Sequence, residues 1–519
     1  MIRTTKKSRS QLTVRFVGSA LSGTIATFSF APYGYWPLIF VSLCGFFLLI
    51  HEQKPSNAFK IGLGWGLGQF ATGISWVYVV IEKFGGFPLP IGLLLISLLI
   101  FYLALFPACF AYLSQKIPVS APVYYWFYIP ALWLSIDWLR GILLTGFPWL
   151  WLGYSQIDSP LAAIAPILGV QGITLFIVLI VTSTLYAFKQ QKWSALAPAI
   201  AILLLCFVLK QKDWTTKTEE LVDVAMVQGN VPQELKWLPQ YRWPTLLSYQ
   251  DLTRENWDAD IIIWPEAAIP AMEKELPDFL ARVDSAAKKN NAAVITGVLD
   301  QNSNGLFYNN VISIGDNGTS DYEYPAKERY SKHHLLVFGE FVPFEDFLRP
   351  LAPFFNLPMS SFSRGDFQQP NLNAKGYQLA TALCYEIAFA GQVRKNLTAQ
   401  SDFILTLSND TWFGDSIGPF QHLEIARMRA LENGKPVLRA TNTGLTAAID
   451  HKGKFIAQIP QFNTQVLRAK ITTTKGHTPY TCIGELPLYI WVGLSFVVTI
   501  FGYFGFKKRR PVYKLSAFN

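Results

Sequence analysis

Seven apolar stretches precede the first densely charged segment, at about 12–30, 35–51, 58–80, 88–114, 122–142, 163–187 and 194–210. Each comes close to the roughly 20 residues that carry a helix across a hydrocarbon layer. In lipid, backbone N–H and C=O groups must be satisfied within the segment, so stretches of this kind fold as helices. An eighth run lies at 486–506. The stretch at 35–50 is short, and Pro130 and Pro166 are placed to kink or divide the spans that hold them. Charged residues are sparse over 14–208 and dense over 210–475. With 51% of 519 residues hydrophobic and 15% charged, the chain is too apolar to lie wholly in water. The expected organisation is a multi-pass α-helical membrane domain of about eight spans, divided as 1–215 and 485–519, with a polar α/β domain at 216–484 between them.

The net charge of +9 does not form a stripe suited to nucleic acid, because the basic residues cluster at the ends of apolar runs. Lys54, Lys60, Lys116, Lys189 and Lys192 fall in alternate loops, and Lys507, Lys508, Arg509 and Arg510 follow the last run. By the excess of Lys and Arg in cytoplasmic loops, both termini are cytoplasmic and the polar domain is on the outer face. Arg3, Lys6, Lys7 and Arg9 before an apolar stretch look like a secretory signal, but no clean small-x-small site follows and Pro32 succeeds Ala31. The segment is therefore read as retained. Asp137, Asp158, Trp149 and Trp151 sit in outer loops or span ends and suit an interfacial belt; Trp149 alternatively lines a lipid entrance.

Within the polar domain, 222–227, 261–264, 293–298, 379–383 and 403–408 are apolar runs of strand length, and 277–290 and 420–434 have helical spacing. Such alternation predicts a layered α/β domain. Glu266 follows the run Ile261-Ile262-Ile263-Trp264-Pro265, Cys384 closes the run at 379–383, and Lys332 lies in Arg329-Tyr330-Ser331-Lys332-His333-His334. Taken singly, these read as a loop carboxylate, a buried thiol and a surface amine.

The order Glu266, Lys332, Cys384 with these flanks resembles the nitrilase (carbon–nitrogen hydrolase) superfamily, and Met226-Val227-Gln228-Gly229-Asn230 looks like its first strand. The eight-run frame and Ser408-Asn409-Asp410-Thr411-Trp412-Phe413-Gly414 narrow the resemblance to its membrane-bound branch, the apolipoprotein N-acyltransferases of bacterial envelopes. The resemblance implies an αββα sandwich for the polar domain and a Glu266–Lys332–Cys384 triad. It implies a phospholipid acyl donor such as phosphatidylethanolamine, and a diacylglyceryl apolipoprotein as acceptor. Further implications are an inner-membrane location with the catalytic domain in the periplasm, no cofactor, and a lipid bilayer but no nucleic acid as partner.

In that frame Glu266 deprotonates Cys384, and Lys332 with the Tyr385 backbone N–H faces the oxyanion. Glu340 orients Lys332, and Glu386 holds the turn of the nucleophile. Trp237 reads either as a second arm residue toward lipid or as an ordinary residue of the polar segment after the first strand. The apolar segment 348–362, with Phe354, Phe355, Leu357 and Met359, reads either as a lid or as a packed loop.

The remaining candidates carry less. Cys44, Cys109 and Cys206 read as small buried hydrophobes, and a Cys384–Cys482 disulfide is disfavoured by the neighbours of Cys384. His333, His334, His422 and His451 lack metal-ligand spacing, so no metal is expected. G-x-S-x-G is absent. The rival readings are a membrane-tethered amidase of the same superfamily, a catalytically dead lipoprotein receptor, and a transporter, for which the spans lack buried charge pairs.

Overall fold

The computed structural model describes residues 2–83, 88–337, 339–341 and 362–509, with side chains from residue 10 to residue 505 within these ranges. The chain divides into two compact units, one of 1–78, 88–212 and 485–519, the other of 79–87 and 213–484.

The first unit is helical. Its principal helices are α1 (Ile2–Thr27), α2 (Leu38–Ile50), α3 (Pro55–Gly73), α4 (Leu89–Ser114), α5 (Ile129–Ile142), α6 (Ala165–Gln190) and α7 (Ala197–Leu209), joined after the second unit by α8 (Leu486–Arg509). Every expected apolar run therefore contains a helix. By length and composition, four segments among the described residues can cross a membrane: Leu89–Ser114, Ala121–Thr145, Pro160–Gln190 and Leu486–Gly505. The other four helices fall short of that standard for physical reasons. Helices α2 and α7 have 13 residues each, about 20 Å at 1.5 Å per residue. Arg3, Lys6, Lys7 and Arg9 make the start of α1 polar, and five glycines dilute α3. Those glycines serve close packing: a methyl group on Gly68 would overlap the carbonyl of Ala20 in α1.

Two expectations for this unit are corrected. Trp149 is 1% exposed, packed with its ring centroid 5.3 Å from that of Trp76, and Trp151 is also buried, so neither stands at a surface belt. A buried charge pair is present as well, against the expectation that the spans lack one: Arg140 Nη2 donates to Asp137 Oδ1 at 3.2 Å, inside α5. Arg140 Nη1 also donates to the carbonyls of Phe147 and Trp149, at 2.9 and 2.6 Å. Its donors are thus committed to holding the 147–149 chain, which explains why a charge is tolerated there.

The second unit holds two β-sheets face to face. The strands are β1 (Thr216–Gln228), β2 (Ile261–Ile263), β3 (Ile269–Met272), β4 (Ala293–Gln301), β5 (Phe307–Gly315), β6 (Arg329–Ser331), β7 (Leu372–Ala374), β8 (Tyr377–Thr381), β9 (Ser401–Ser408), β10 (Val437–Thr441), β11 (Thr446–Ile449), β12 (Phe455–Ile459) and β13 (Gln465–Lys475). One sheet runs β13-β1-β2-β4-β5-β6 with β3 beside β4, the other β12-β11-β10-β9-β8-β7. In each, three central strands are parallel: β1, β2 and β4, and β8, β9 and β10.

Strand alternation explains the layers. Val222, Val224, Met226, Ile261 and Ile263 join Leu379, Phe403, Leu405 and Leu438 in the core between the sheets. Their neighbours Ala225, Val227, Ile262 and Trp264 face outward, against Leu246 and Tyr249 of α9 (Pro239–Arg254) and Phe279, Leu280 and Val283 of α10 (Pro277–Lys289). Helix α11 (Gly418–Asn433) packs against β10 and supplies a fourth layer. Strands covered on both faces need unbroken apolar runs, which is why 261–264 and 403–408 read as they do.

Because Arg140 neutralises Asp137 and satisfies two carbonyls, Arg140→Met should destabilise the detergent-solubilised protein by about 3–5 kcal/mol. The check is thermal unfolding, and Asp137→Asn added to that variant should recover part of the loss.

Candidate active site

Parallel strands present their following loops at one edge, and the loops after the parallel strands β2 and β8 meet here the loop after β6, which pairs antiparallel to β5. Pro265 ends β2, the chain turns through Ala267 at φ 45°, and Glu266 is delivered at the turn. This turn lies directly on β4, where a methyl on Gly297 would overlap the Ala267 nitrogen and the Glu266 Cα, so only glycine admits it. Lys332 follows β6 and is pinned at both ends: its N–H donates to the Asn309 carbonyl (2.8 Å) and its carbonyl accepts from Gly365 N–H (2.9 Å). Cys384 opens a short 3-10 turn, Cys384–Ala388, after β8, with φ 54°. A non-glycine residue held at positive φ costs energy that its surroundings must supply.

Glu386 supplies it. Fully buried, its carboxylate accepts from the backbone N–H of Leu383 (2.7 Å), His333 (2.8 Å) and His334 (2.9 Å), from Tyr330 Oη (2.8 Å) and from Gln392 Nε2 (2.8 Å). One carboxylate thereby ties the cysteine turn to the lysine loop. Tyr385, adjacent, is half-buried, its ring 5.9 Å from that of His334.

The triad residues come together. Lys332, 2% exposed, donates from Nζ to Glu340 Oε1 at 2.8 Å and to Glu266 Oε1 at 3.5 Å. Asn309 Nδ2 bridges the same two carboxylate oxygens, at 2.9 Å to Glu266 and 3.1 Å to Glu340. Glu266 Oε2 accepts from the Asn409 N–H at 2.9 Å, and Glu340 Oε2 from Leu336 N–H at 2.9 Å. Burial alone would lower the lysine pKa, but Glu340, then Glu266 and the cysteine outweigh it and hold Lys332 charged well above its ordinary range. Burial raises the Cys384 pKa, Glu266 raises it further, and Lys332 opposes both, so the resting group is a thiol. Neutral sulfur beside a carboxylate base and a fixed cation is an arrangement for nucleophilic acyl chemistry.

Several participants were not legible beforehand. Asn309 and Asn409 hold the Glu266 carboxylate. Lys236 is buried with Nζ 3.4 Å from the Glu266 carbonyl; burial lowers its pKa to about 8, with Glu266 acting in the opposite direction. Behind the sulfur stand Ser408, Asp410, His422 and Arg439, of which the sequence marks only the 408–414 stretch and His422, and neither for this place. No spacing rule connects them; the parallel pairing of β8, β9 and β10 does.

Trp237 packs in an apolar cluster with Ala267, Leu299, Leu335, Phe362 and Phe341, beside the Glu266 turn. Of the expected segment 348–362 only Phe362 is described; Phe354, Phe355, Leu357 and Met359 lie outside the described residues. Trp149 belongs to the other unit. All five cysteines are free, and Cys109 is exposed rather than buried. Among the described residues, no cluster of His, Cys, Asp and Glu is placed to hold a metal ion.

Residues 22–183 match the family described as "Apolipoprotein N-acyltransferase N-terminal domain", and residues 223–477 match "Carbon-nitrogen hydrolase". The apolipoprotein N-acyltransferase of Vibrio parahaemolyticus is 56% identical over 93% of this chain and 96% of its own. That of Photobacterium profundum is 57% identical over 94% of each. The chain belongs to the apolipoprotein N-acyltransferase family. The Haemophilus influenzae member of this family is 42% identical over 90% of this chain and 91% of its own. A carbon-nitrogen hydrolase structure from Helicobacter pylori G27 aligns at 14% identity and TM-score 0.36, over 49% of this chain and 89% of that one.

The sign of the electrostatics gives a test. Lys332 stabilises the thiolate, so Lys332→Met should move the pH midpoint for iodoacetamide alkylation of Cys384 upward, slowing alkylation at any pH below it. Peptide mass mapping of the Cys384 peptide across a pH series reads this out.

Proposed function

We propose that the chain moves a fatty acyl group from a phospholipid, through a thioester on Cys384, to the α-amino group of the N-terminal S-diacylglyceryl cysteine of an apolipoprotein. The observation that carries this reading is the buried Glu266–Lys332–Cys384 cluster with Glu340 bracketing the lysine, in a chain of this family.

In the first half-reaction, Glu266 accepts the Cys384 proton and the sulfur attacks the ester carbonyl carbon. The oxyanion that forms is met by the Lys332 ammonium and the Tyr385 backbone N–H. Collapse breaks the ester C–O bond, and Glu266 returns its proton to the departing glyceryl oxygen, releasing a lysophospholipid. In the second half-reaction the amine attacks the thioester, Glu266 accepts the nitrogen proton, and amide formation expels the Cys384 sulfur, which recovers its proton. Glu340 keeps the Lys332 ammonium aimed, and Glu386 keeps the turn. The apolar cluster around Trp237 and Phe362 supports a site that excludes water, which would otherwise hydrolyse the thioester. Phosphatidylethanolamine suits the donor role.

For placement, we read 1–215 and 485–519 as a membrane domain of eight spans in a bacterial inner membrane, both termini cytoplasmic, and 216–484 as the periplasmic catalytic domain. The alternation of basic loops supports this orientation, as do the four long apolar helices. A tethered amidase would use the same cluster, but relatives matching over more than nine-tenths of the chain favour acyl transfer.

Purified protein given phosphatidylethanolamine with a deuterated acyl chain should release lysophospholipid before any acceptor is added. It should then pass the labelled chain to an S-diacylglyceryl cysteine peptide, and not to the same peptide with an acetylated N-terminus. Hydrolysis of small amides with no labelled peptide would move the assignment to the amidase.

A further inference from the structure

A second set of polar side chains stands behind Cys384 and takes no part in the triad. Ser408, at the end of β9, has its Oγ 3.3 Å from Cys384 Sγ and 2.6 Å from Asp410 Oδ1. Arg439 of β10 donates from Nη2 to Asp410 Oδ2 at 2.6 Å. His422 of α11 lies with Nδ1 3.1 Å from Asp410 Oδ1 and 3.1 Å from Arg439 Nη2, and with Nε2 3.1 Å from the Cys384 carbonyl. Ser408, His422 and Arg439 are fully enclosed and Asp410 is 2% exposed.

Hydrogen-bond chemistry assigns the protons. The Cys384 carbonyl can only accept, so His422 Nε2 carries hydrogen. Burial and the Arg439 charge lower the His422 pKa, which keeps the ring neutral and leaves Nδ1 as an acceptor for Arg439. Asp410 lies well below the usual carboxylate range: burial opposes this, but Arg439 outweighs it, so the group is an anion. The neutral ring offers Asp410 Oδ1 no proton, and the donor facing that oxygen at 2.6 Å is the Ser408 hydroxyl. A single hydroxyl proton can point fully at Asp410 or at the sulfur but not at both, and the 2.6 Å distance against 3.3 Å sets it toward Asp410 here.

We propose that Ser408 is a positioning residue with two settings: its O–H donates to Asp410 while Cys384 is a thiol, and swings to the sulfur when the thiol proton passes to Glu266. The change breaks no covalent bond in Ser408; the only proton transferred runs from sulfur to the Glu266 carboxylate. The device makes the thiolate available on demand. The charged and titratable groups around the sulfur are Glu266 and Lys332 on one side and Asp410 with Arg439 and His422 on the other, with Glu340 behind the lysine. Asp410 opposes the thiolate and the Ser408 hydroxyl favours it. This inference rests on the nucleophilic role given to Cys384 above.

The test is the pH profile of Cys384 alkylation by iodoacetamide in the full-length, detergent-solubilised protein without lipid, read by mass mapping. Ser408→Ala should raise the midpoint and slow alkylation about tenfold at a fixed pH below it, as for loss of a hydrogen bond to a charged group. Ser408→Thr, which keeps the hydroxyl, should return the midpoint toward wild type, and Asp410→Asn should lower it. A residue serving only to pack would alter yield or unfolding temperature and leave the midpoint in place. An unshifted midpoint in Ser408→Ala overturns the switch. Because no acyl donor is present, the profile reads the switch alone; a shifted profile in a protein that forms no acyl adduct when phospholipid is then supplied would count against acyl transfer and leave the switch standing.

Discussion

A buried ammonium between two carboxylates organises this site. Lys332 is almost wholly removed from water, which is tolerable only because Glu340 at 2.8 Å and Glu266 at 3.5 Å face it and Asn309 ties the two acids together. The same cluster makes the chemistry feasible. When the thiol gives its proton to Glu266, one negative charge moves from carboxylate to sulfur and the enclosed site gains none. Lys332 remains beside the charge in either position, so thiolate formation does not require a new ion to be buried. The resting thiol is the counterpart of that balance: burial and Glu266 hold the proton on sulfur until a reaction draws on it.

That cluster exists because the sandwich brings loops from both sheets to one edge. Glu266 follows β2 and Lys332 follows β6, in one sheet, while Cys384 follows β8 in the other. Glu386 is the tie across them, since its carboxylate holds backbone N–H groups of both the lysine loop and the cysteine turn. The positive φ of Cys384 is sustained by these bonds and by His422 on the Cys384 carbonyl. Support of this kind, from enclosed neighbours, is what can keep the groups of a site within reach of one another.

The parts of the fold legible in the sequence are those where one physical demand dominates. Central parallel strands are covered on both faces, so β1, β2, β4, β8 and β9 carry continuous apolar runs. By contrast β5 opens with Phe307-Tyr308-Asn309-Asn310, β6 and β7 have three residues each, and β13 alternates between exposed and buried positions, so none stands out from a loop. In the helical unit the apolar runs were readable, but Trp149 was not: an indole drawn toward an interface and one buried against Trp76 look alike in one dimension. Glu266, Lys332 and Cys384 could be singled out as candidates through their flanking residues, and the fold brings their loops together. Asn309, Asn409, Lys236 and the Ser408–Asp410–His422–Arg439 group were not, because each acquires its place from a partner between 17 and 143 residues away.

The central claim is that Cys384 carries the acyl chain. Intact mass of the detergent-purified protein after incubation with phospholipid tests it most directly, comparing wild type with Cys384→Ala and with a hydroxylamine-treated sample. The account predicts a mass gain of one acyl chain that hydroxylamine removes and that Cys384→Ala never acquires. An adduct of the same mass on Cys384→Ala, or none on wild type under conditions where labelled acyl groups still reach the acceptor peptide, would contradict it.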